Sequence, residues 1–213
     1  MRDPALDAYL LAHSTPADPI LSQLAAETRT AFGDRAGMQI SADEGALLTM
    51  LVQLIGAANA VEVGTFTGYS SICIARGLAP GGRLLCCDVS ATFTGLARQY
   101  WRKAGVEDRI ELRLAPALET LQALPDNPII DFAFVDADKT GYAGYYAELV
   151  PRLRPGGLLV LDNVLRGGEV VVPHPVSASV VAMRHLNDLV AADDRVDTVM
   201  LPVRDGVTLA RKR

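Results

Sequence analysis

The chain has 213 residues, half of them hydrophobic and 21% charged, and its 20 basic and 25 acidic side chains give a formal charge of −5. That length predicts one domain, able to hide roughly 70% of the surface its extended chain exposes. The composition excludes a disordered chain, and the acidic balance lacks the basic footprint of a nucleic-acid binder.

The N-terminal third reads as helices, an extension over residues 1–57 preceding an α/β core over 58–213. Asp3-Pro4 opens the first helix, through Leu6, Leu10 and Leu11; the acids around it and the lack of a long apolar core argue against a secretory signal. Asp18-Pro19 is an N-cap with a first-turn proline, followed by Ile20, Leu21, Leu24 and Phe32 on one side. Ser41 begins SADEG, which has the form of a capping box with Glu44, and Leu47, Leu48, Leu51, Leu54 and Ile55 follow at helical spacing.

From about residue 59, short apolar runs (60–63, 83–87, 110–114, 129–135, 157–161) alternate with helical stretches near 69–79, 91–104, 117–124 and 142–153. This alternation is the signature of a parallel α/β sheet. Pro80-Gly81-Gly82, Pro125-Asp126-Asn127-Pro128 and Pro155-Gly156-Gly157 read as turns. A helix near 177–192 then precedes strands at 196–201 and 206–210, whose short link suits an antiparallel hairpin. No run approaches the ~20 residues of a membrane span. Cys86 and Cys87 point to opposite faces if their run is a strand. With Cys73 they make an odd number and no CxxC or Cys/His cluster, which points to a reducing cytoplasm and away from zinc.

Four apolar runs contain or end in an acid: Glu62, Asp88, Asp136 and Asp162. Parallel strands end at a common edge, where ligands bind at the point of strand-order reversal. Acids gathered there repel one another unless positive charge offsets them. The first lies in EVGTFTGYS, a strand, a glycine-containing turn and a helix start. Gly64 and Gly68 permit close approach of a ligand, and Ser70 can donate a hydroxyl. Phe66 stands where a dinucleotide fingerprint has its second glycine, so the turn suits a ligand without phosphates and disfavours a dehydrogenase. Asp88 ends the second strand, where a carboxylate typically accepts ribose hydroxyls. Together with Glu62 it suggests an adenosine site of the kind S-adenosylmethionine needs, and the sulfonium and ammonium groups of that molecule favour acidic surroundings.

Asp136-Ala137-Asp138-Lys139 ends one run and Asp162-Asn163 the next. Neighbouring strands lie about 4.8 Å apart, so Asp136, Asp162 and Asn163 can converge as three oxygen donors for Mg2+, with Mn2+ a substitute. The competing reading is helix capping by Asp138 or Thr140 and a turn at Asp162-Asn163. Lys139, held beside a cation, is a residue of the kind that serves as general base. His13, His174 and His185 fit no catalytic spacing, and Tyr100 and Trp101 read as packing.

MQISADEG (38–45), EVGTFTGYS (62–70), APAL (115–118), VDADKTGYAGYY (135–146), DNVLRGG (162–168) and LPVRDGVTLARK (201–212) resemble, in order and spacing, the cation-dependent O-methyltransferases of the caffeoyl-CoA and catechol type. The resemblance implies a seven-stranded, mostly parallel, doubly wound sheet with an antiparallel C-terminal hairpin. It implies S-adenosylmethionine contacts at Ile40, Glu62, Gly64, Thr65, Ser70, Asp88, Ala117 and Asp138, with Met38 near the methyl donor. It also implies metal ligation by Asp136, Asp162 and Asn163, a basic role for Lys139, and a homodimer. Plant caffeoyl-CoA enzymes carry tryptophan and asparagine after Asp-Asn; here Arg166 and Gly167 stand there, a departure that argues against a coenzyme A thioester and fits smaller or different catechols. The expected activity is methyl transfer to one hydroxyl of a vicinal dihydroxy aromatic in the cytoplasm, with no membrane or nucleic-acid partner. The alternatives are a non-catalytic S-adenosylmethionine-binding homologue and a nucleotide-cofactor dehydrogenase.

Overall fold

Asp18 caps helix α2 (Pro19–Phe32) by accepting the Leu21 amide at 2.9 Å, and also pairs with Arg76, so the predicted helix start holds. The computed structural model describes residues 4–174 and 177–213. Helix α1 spans Pro4–Ala12; its expected opening residue, Asp3, lies outside the described residues. Helix α3 spans Ala42–Leu54, but the capping box is not made. Ser41 occupies the N-cap with its hydroxyl buried and unbonded, and Glu44 is only 2% exposed. The cause is packing against α4 (Tyr69–Gly77): a Cβ at Gly45 would come within 2.9 Å of the Tyr69 ring and the Cys73 sulfur. The first turn of α3 is pressed onto α4, and Glu44 is carried inward rather than left on a solvated surface.

The seven strands are β1 (Asn59–Val63), β2 (Arg83–Asp88), β3 (Ile110–Leu114), β4 (Ile130–Val135), β5 (Leu153–Asp162), β6 (Val196–Leu201) and β7 (Val207–Lys212), in the order β3-β2-β1-β4-β5-β7-β6. β1 to β5 pair in parallel, and β7 pairs antiparallel with both β5 and β6. Helices α5 (Ala91–Lys103), α6 (Ala117–Gln122), α7 (Tyr142–Arg152) and α8 (Ala178–Ala192) complete the α/β alternation. One point differs from expectation: β5 begins at Leu153 and runs through Pro155-Gly156-Gly157, which reads as a turn. The register jumps from Ile130 opposite Leu153 to Phe132 opposite Leu158, so these residues form an irregularity in the strand, a position that tolerates proline.

Two apolar clusters cover the two faces of the sheet. One joins Leu24 of α2 and Leu48 of α3 to α4, α5 and Cys86; the other joins α7, α8 and Cys87. The adjacent cysteines thus do face opposite ways, and all three cysteines are free and buried. Tyr100 and Trp101 are core residues, with the indole donating to Ser71 Oγ at 3.1 Å. No helix among the described residues is long and apolar enough to cross a membrane.

Candidate active site

Strand register builds the site. Val63 stands opposite Cys87 on β2 and Val135 on β4, and Val135 stands opposite Leu161 on β5. The next step along each strand therefore places Gly64, Asp88, Asp136 and Asp162 in one row at the carboxyl edge. Strand order reverses between β1 and β4, which makes this edge the expected ligand crevice. The row opens into a cavity of about 1300 Å³.

Met38, Ile40, Thr65, Ser70, Ala117 and Asp138 line that cavity with this row, as do Lys139 and Asn163. Glu62 does not. It sits one row lower, opposite Cys86 and Phe134, with 0% exposure. Its Oε2 accepts the Cys86 thiol at 3.2 Å, the Ser70 and Thr65 hydroxyls face it, and burial raises its pKa to about 7. Glu62, expected as a cofactor contact, thus lies beneath the glycine turn rather than in the cavity wall. A carboxyl raised from its ordinary 4.5 keeps its proton in the folded state after the unfolded chain has lost it, so its contribution to stability falls as pH rises from 4.5 to 7. Glu62→Gln is expected to remove this loss, about 3 kcal/mol in total between pH 4.5 and 7, measured as denaturant midpoint against pH beside wild type.

Asp88 lines the cavity and also braces the turn. Its Oδ2 accepts the Thr65 and Phe66 amides at 3.0 and 2.9 Å, and its Oδ1 accepts the Ser90 amide at 2.7 Å. A carboxylate has about four lone-pair positions, so most of this one is already engaged with backbone. Gly64 adopts φ +90°, and a Cβ there would fall on the carbonyl oxygen of Asp136. Phe66 holds a left-handed φ of +49° and packs edge-on to Phe93 at 4.8 Å between ring centroids. These two rings line the cavity, in place of Tyr100 or Trp101. Among the described residues, the non-glycine residues with positive φ are Phe66, Asn163, Arg166 and Arg204, and all four line the cavity. Strained backbone of this kind clusters at ligand sites.

On the other side of the row, Lys139 Nζ donates to Asp136 Oδ1 at 2.9 Å and to the Tyr142 hydroxyl at 2.8 Å. The Tyr142 oxygen lies 3.1 Å from the carbonyls of both Val135 and Asp162, so it ties together the ends of β4 and β5. Asp138 stands at the N-cap of the 3-10 turn Lys139–Gly141, but its side chain makes no cap bond and accepts the Tyr145 hydroxyl at 2.6 Å. Asp162 is 2% exposed; burial, then the charge of Asp136, raises its pKa. The sequence reading missed Glu44, which lines the cavity and whose carboxyl is raised by burial and by the charges of Asp162 and Asp136. It also missed Arg204. Among the described residues no group of three or more His, Cys, Asp or Glu is arranged to hold a metal ion; the expected set has two carboxylates and one amide. The three histidines are exposed and line no part of the cavity.

The segment after Asn163 forms one wall. Residues Arg166–Val171 make a 3-10 turn, and Asp205 holds it by accepting the Gly167 amide. Leu165 to Gly168 line the cavity; Pro175 and Val176 lie outside the described residues.

Comparison with known proteins gives one family. The O-methyltransferase family model matches residues 11–213. A probable caffeoyl-CoA O-methyltransferase 1 of Dictyostelium discoideum is 39% identical over 208 residues, 96% of this chain and 90% of that protein. The mouse catechol O-methyltransferase domain-containing protein 1 is 39% identical over 213 residues, 99% of this chain and 80% of that protein. Among solved structures, the O-methyltransferase from Bacillus cereus in complex with SAH superposes with a TM-score of 0.89 at 33% identity, covering 98% of this chain and 97% of that one. With its seven-stranded sheet, its cavity at the strand-order reversal and this match along nearly its whole length, the chain belongs to the O-methyltransferase family and is an O-methyltransferase.

Proposed function

We propose that the enzyme moves the methyl group of S-adenosylmethionine to one hydroxyl of a vicinal dihydroxy aromatic and requires a divalent cation, Mg2+ or Mn2+. The observation that carries this reading is the shared row, which sets Asp136 and Asp162 beside the Gly64 turn in one cavity. The phosphate-free turn and the SAH bound by the Bacillus cereus relative support the methyl donor.

The residues fit a cation. Asp136, Asp162 and the Asn163 amide are hard oxygen donors, and Asp162 is buried against a like charge that a cation would offset. A bound divalent ion supplies Lewis acidity that favours loss of a phenolic proton. The chain's residues do the rest. Asp136, Asp162 and Asn163 hold the ion, and Lys139 steadies Asp136 while its positive charge favours a phenolate next to it. Tyr142 fixes Lys139 and both strand ends. The phenolate oxygen forms a bond to the methyl carbon as the carbon–sulfur bond breaks, leaving S-adenosylhomocysteine. Because the opposite charges of oxyanion and sulfonium vanish together, the main contribution of the protein is to hold the two at roughly 3 Å.

Lys139→Ala is expected to lower kcat by roughly 10²-fold with a smaller change in KM, read from initial rates; an equal loss in both assigns the lysine to binding. Arg166 and Gly167 in the acceptor wall favour small catechols over coenzyme A thioesters. A panel of catechols, flavonoids and hydroxycinnamoyl thioesters, assayed beside analogues with one hydroxyl removed, tests the acceptor class. Turnover confined to vicinal diols supports the reading, and equal rates on monophenols refute it.

A further inference from the structure

We propose that Arg204 is a specificity-determining residue of the acceptor site: it receives a carboxylate carried by the acceptor, so the preferred substrate is a vicinal dihydroxy aromatic acid. This inference rests on the vicinal-diol reading above and names the acceptor class within it.

Register puts Arg204 at the acceptor end of the cavity. Val207 opens β7 and stands opposite Asp162, the last residue of β5. The link 202–206 between β6 and β7 therefore projects just past Asp162, at the same edge as the row of acids. Pro202, Arg204 and Asp205 of this link line the cavity. The glycine turn leaves β1, two strands away from β5, so the link borders the half of the cavity assigned to the acceptor.

The link is held in place by the opposite wall. The Leu165 amide donates to the Asp205 carbonyl at 2.8 Å, and the Val164 amide to the Gly206 carbonyl at 3.1 Å. Gly206 closes the turn by donating to the Val203 carbonyl at 2.7 Å, and a Cβ on Gly206 would strike the Leu165 side chain. Within this fixed turn Arg204 holds a left-handed φ of +49°. Such backbone is costly for a residue with a Cβ and persists where a site over-determines it, commonly at a ligand clamp.

Charge then selects the ligand. Among the described residues, the cations lining the cavity are Lys139, Arg166 and Arg204. Lys139 is engaged with Asp136, and Arg166 lies 3.9 Å from Asp205. Arg204 is exposed, and among the described residues no acid lies within ion-pair distance of it; its charge reaches the Glu44 carboxyl without a pair forming. Its guanidinium thus keeps its donors for a ligand, and its planar fork matches a carboxylate. An acidic acceptor entering beside Asp136, Asp138 and Asp162 is repelled unless its carboxylate meets such a cation.

The test compares a vicinal dihydroxybenzoate and a vicinal dihydroxycinnamate with their methyl esters, which keep the diol and lose the charge. Initial rates give kcat and KM for wild type, Arg204→Ala and Arg204→Lys, and calorimetry gives SAH affinity on the same preparations. Wild type is expected to favour at least one acid over its ester roughly tenfold in kcat/KM, chiefly through KM. Arg204→Ala is expected to lose that preference, and Arg204→Lys to keep part of it. Equal kcat/KM for acids and esters in wild type overturns the proposal and leaves the diol reading intact, with Arg204 a solvated side chain. A preference that survives Arg204→Ala overturns it by assigning the carboxylate to another residue. Equal losses on acid and ester, with weakened SAH binding, overturn it in favour of a packing role. A coenzyme A thioester preferred to both acids overturns it in favour of a phosphate on a longer arm. Wild-type enzyme that methylates none of the four diols, or their monophenol analogues equally fast, refutes the vicinal-diol reading itself, and the proposal with it.

Discussion

Replacing Asp136 or Asp162 with alanine is expected to lower methyl transfer roughly a thousandfold while S-adenosylmethionine affinity changes only a few-fold. The two losses separate because the row has two halves. Asp136 and Asp162 close β4 and β5, whereas the turn assigned to the cofactor in the proposal leaves β1 and is braced by Asp88 of β2. Charge predicts a second difference. Asp162 is buried beside Asp136, so removing its charge relieves desolvation and repulsion in the metal-free fold. Asp162→Asn should therefore melt no lower than wild type in chelator, the opposite of a folding defect, as is common where a functional site is bought with stability. Turnover, calorimetry with S-adenosylmethionine and thermal melts on one preparation decide the matter. An active Asp162→Ala variant would show that the row does not carry the chemistry.

The second large effect is expected at Gly64. Alanine there is opposed twice: φ is +90°, and the new Cβ would lie 1.9 Å from the carbonyl oxygen of Asp136, just past the neighbouring strand. That oxygen is backbone, so relief requires β1 and β4 to part. Left-handed backbone and overpacking together should cost about 3 kcal/mol or more. Parting the strands also shifts Asp136 and the turn at once, so SAH affinity and turnover should fall together, unlike the aspartate variants. Gly81→Ala is the control: φ is +77°, but nothing lies within 4 Å of the added methyl, so only the backbone cost remains and SAH binding should persist. Denaturant titration and calorimetry measure both quantities.

These expectations were partly legible in the chain. The alternation of short apolar runs with helical stretches was enough to locate β1 to β5, most clearly β1 and β4, because parallel strands buried on both faces read as continuous apolar runs. Three of the acids, Asp88, Asp136 and Asp162, fall at strand ends along the cavity edge, whereas Glu62 is buried within β1. What the sequence could not supply was depth along a strand. Glu62 looks like its three counterparts, and only the pairing of Val63 with Cys87 and Val135 shows it to be one row lower. Glu44 was hidden differently. Ser-Ala-Asp-Glu satisfies a local rule for helix starts, and the contact of Gly45 with Tyr69 that overrides it is tertiary. Pro155-Gly156-Gly157 misled in the same way, a turn by composition that the partner strand absorbs as an irregularity.

The most direct trial of the account follows a labelled methyl group from S-adenosylmethionine into a catechol. Metal-stripped enzyme should transfer almost none of it in excess EDTA, and added Mg2+ should restore transfer to a single ring oxygen. Label arriving at full rate in EDTA, or on an atom other than a ring hydroxyl oxygen, would contradict the account.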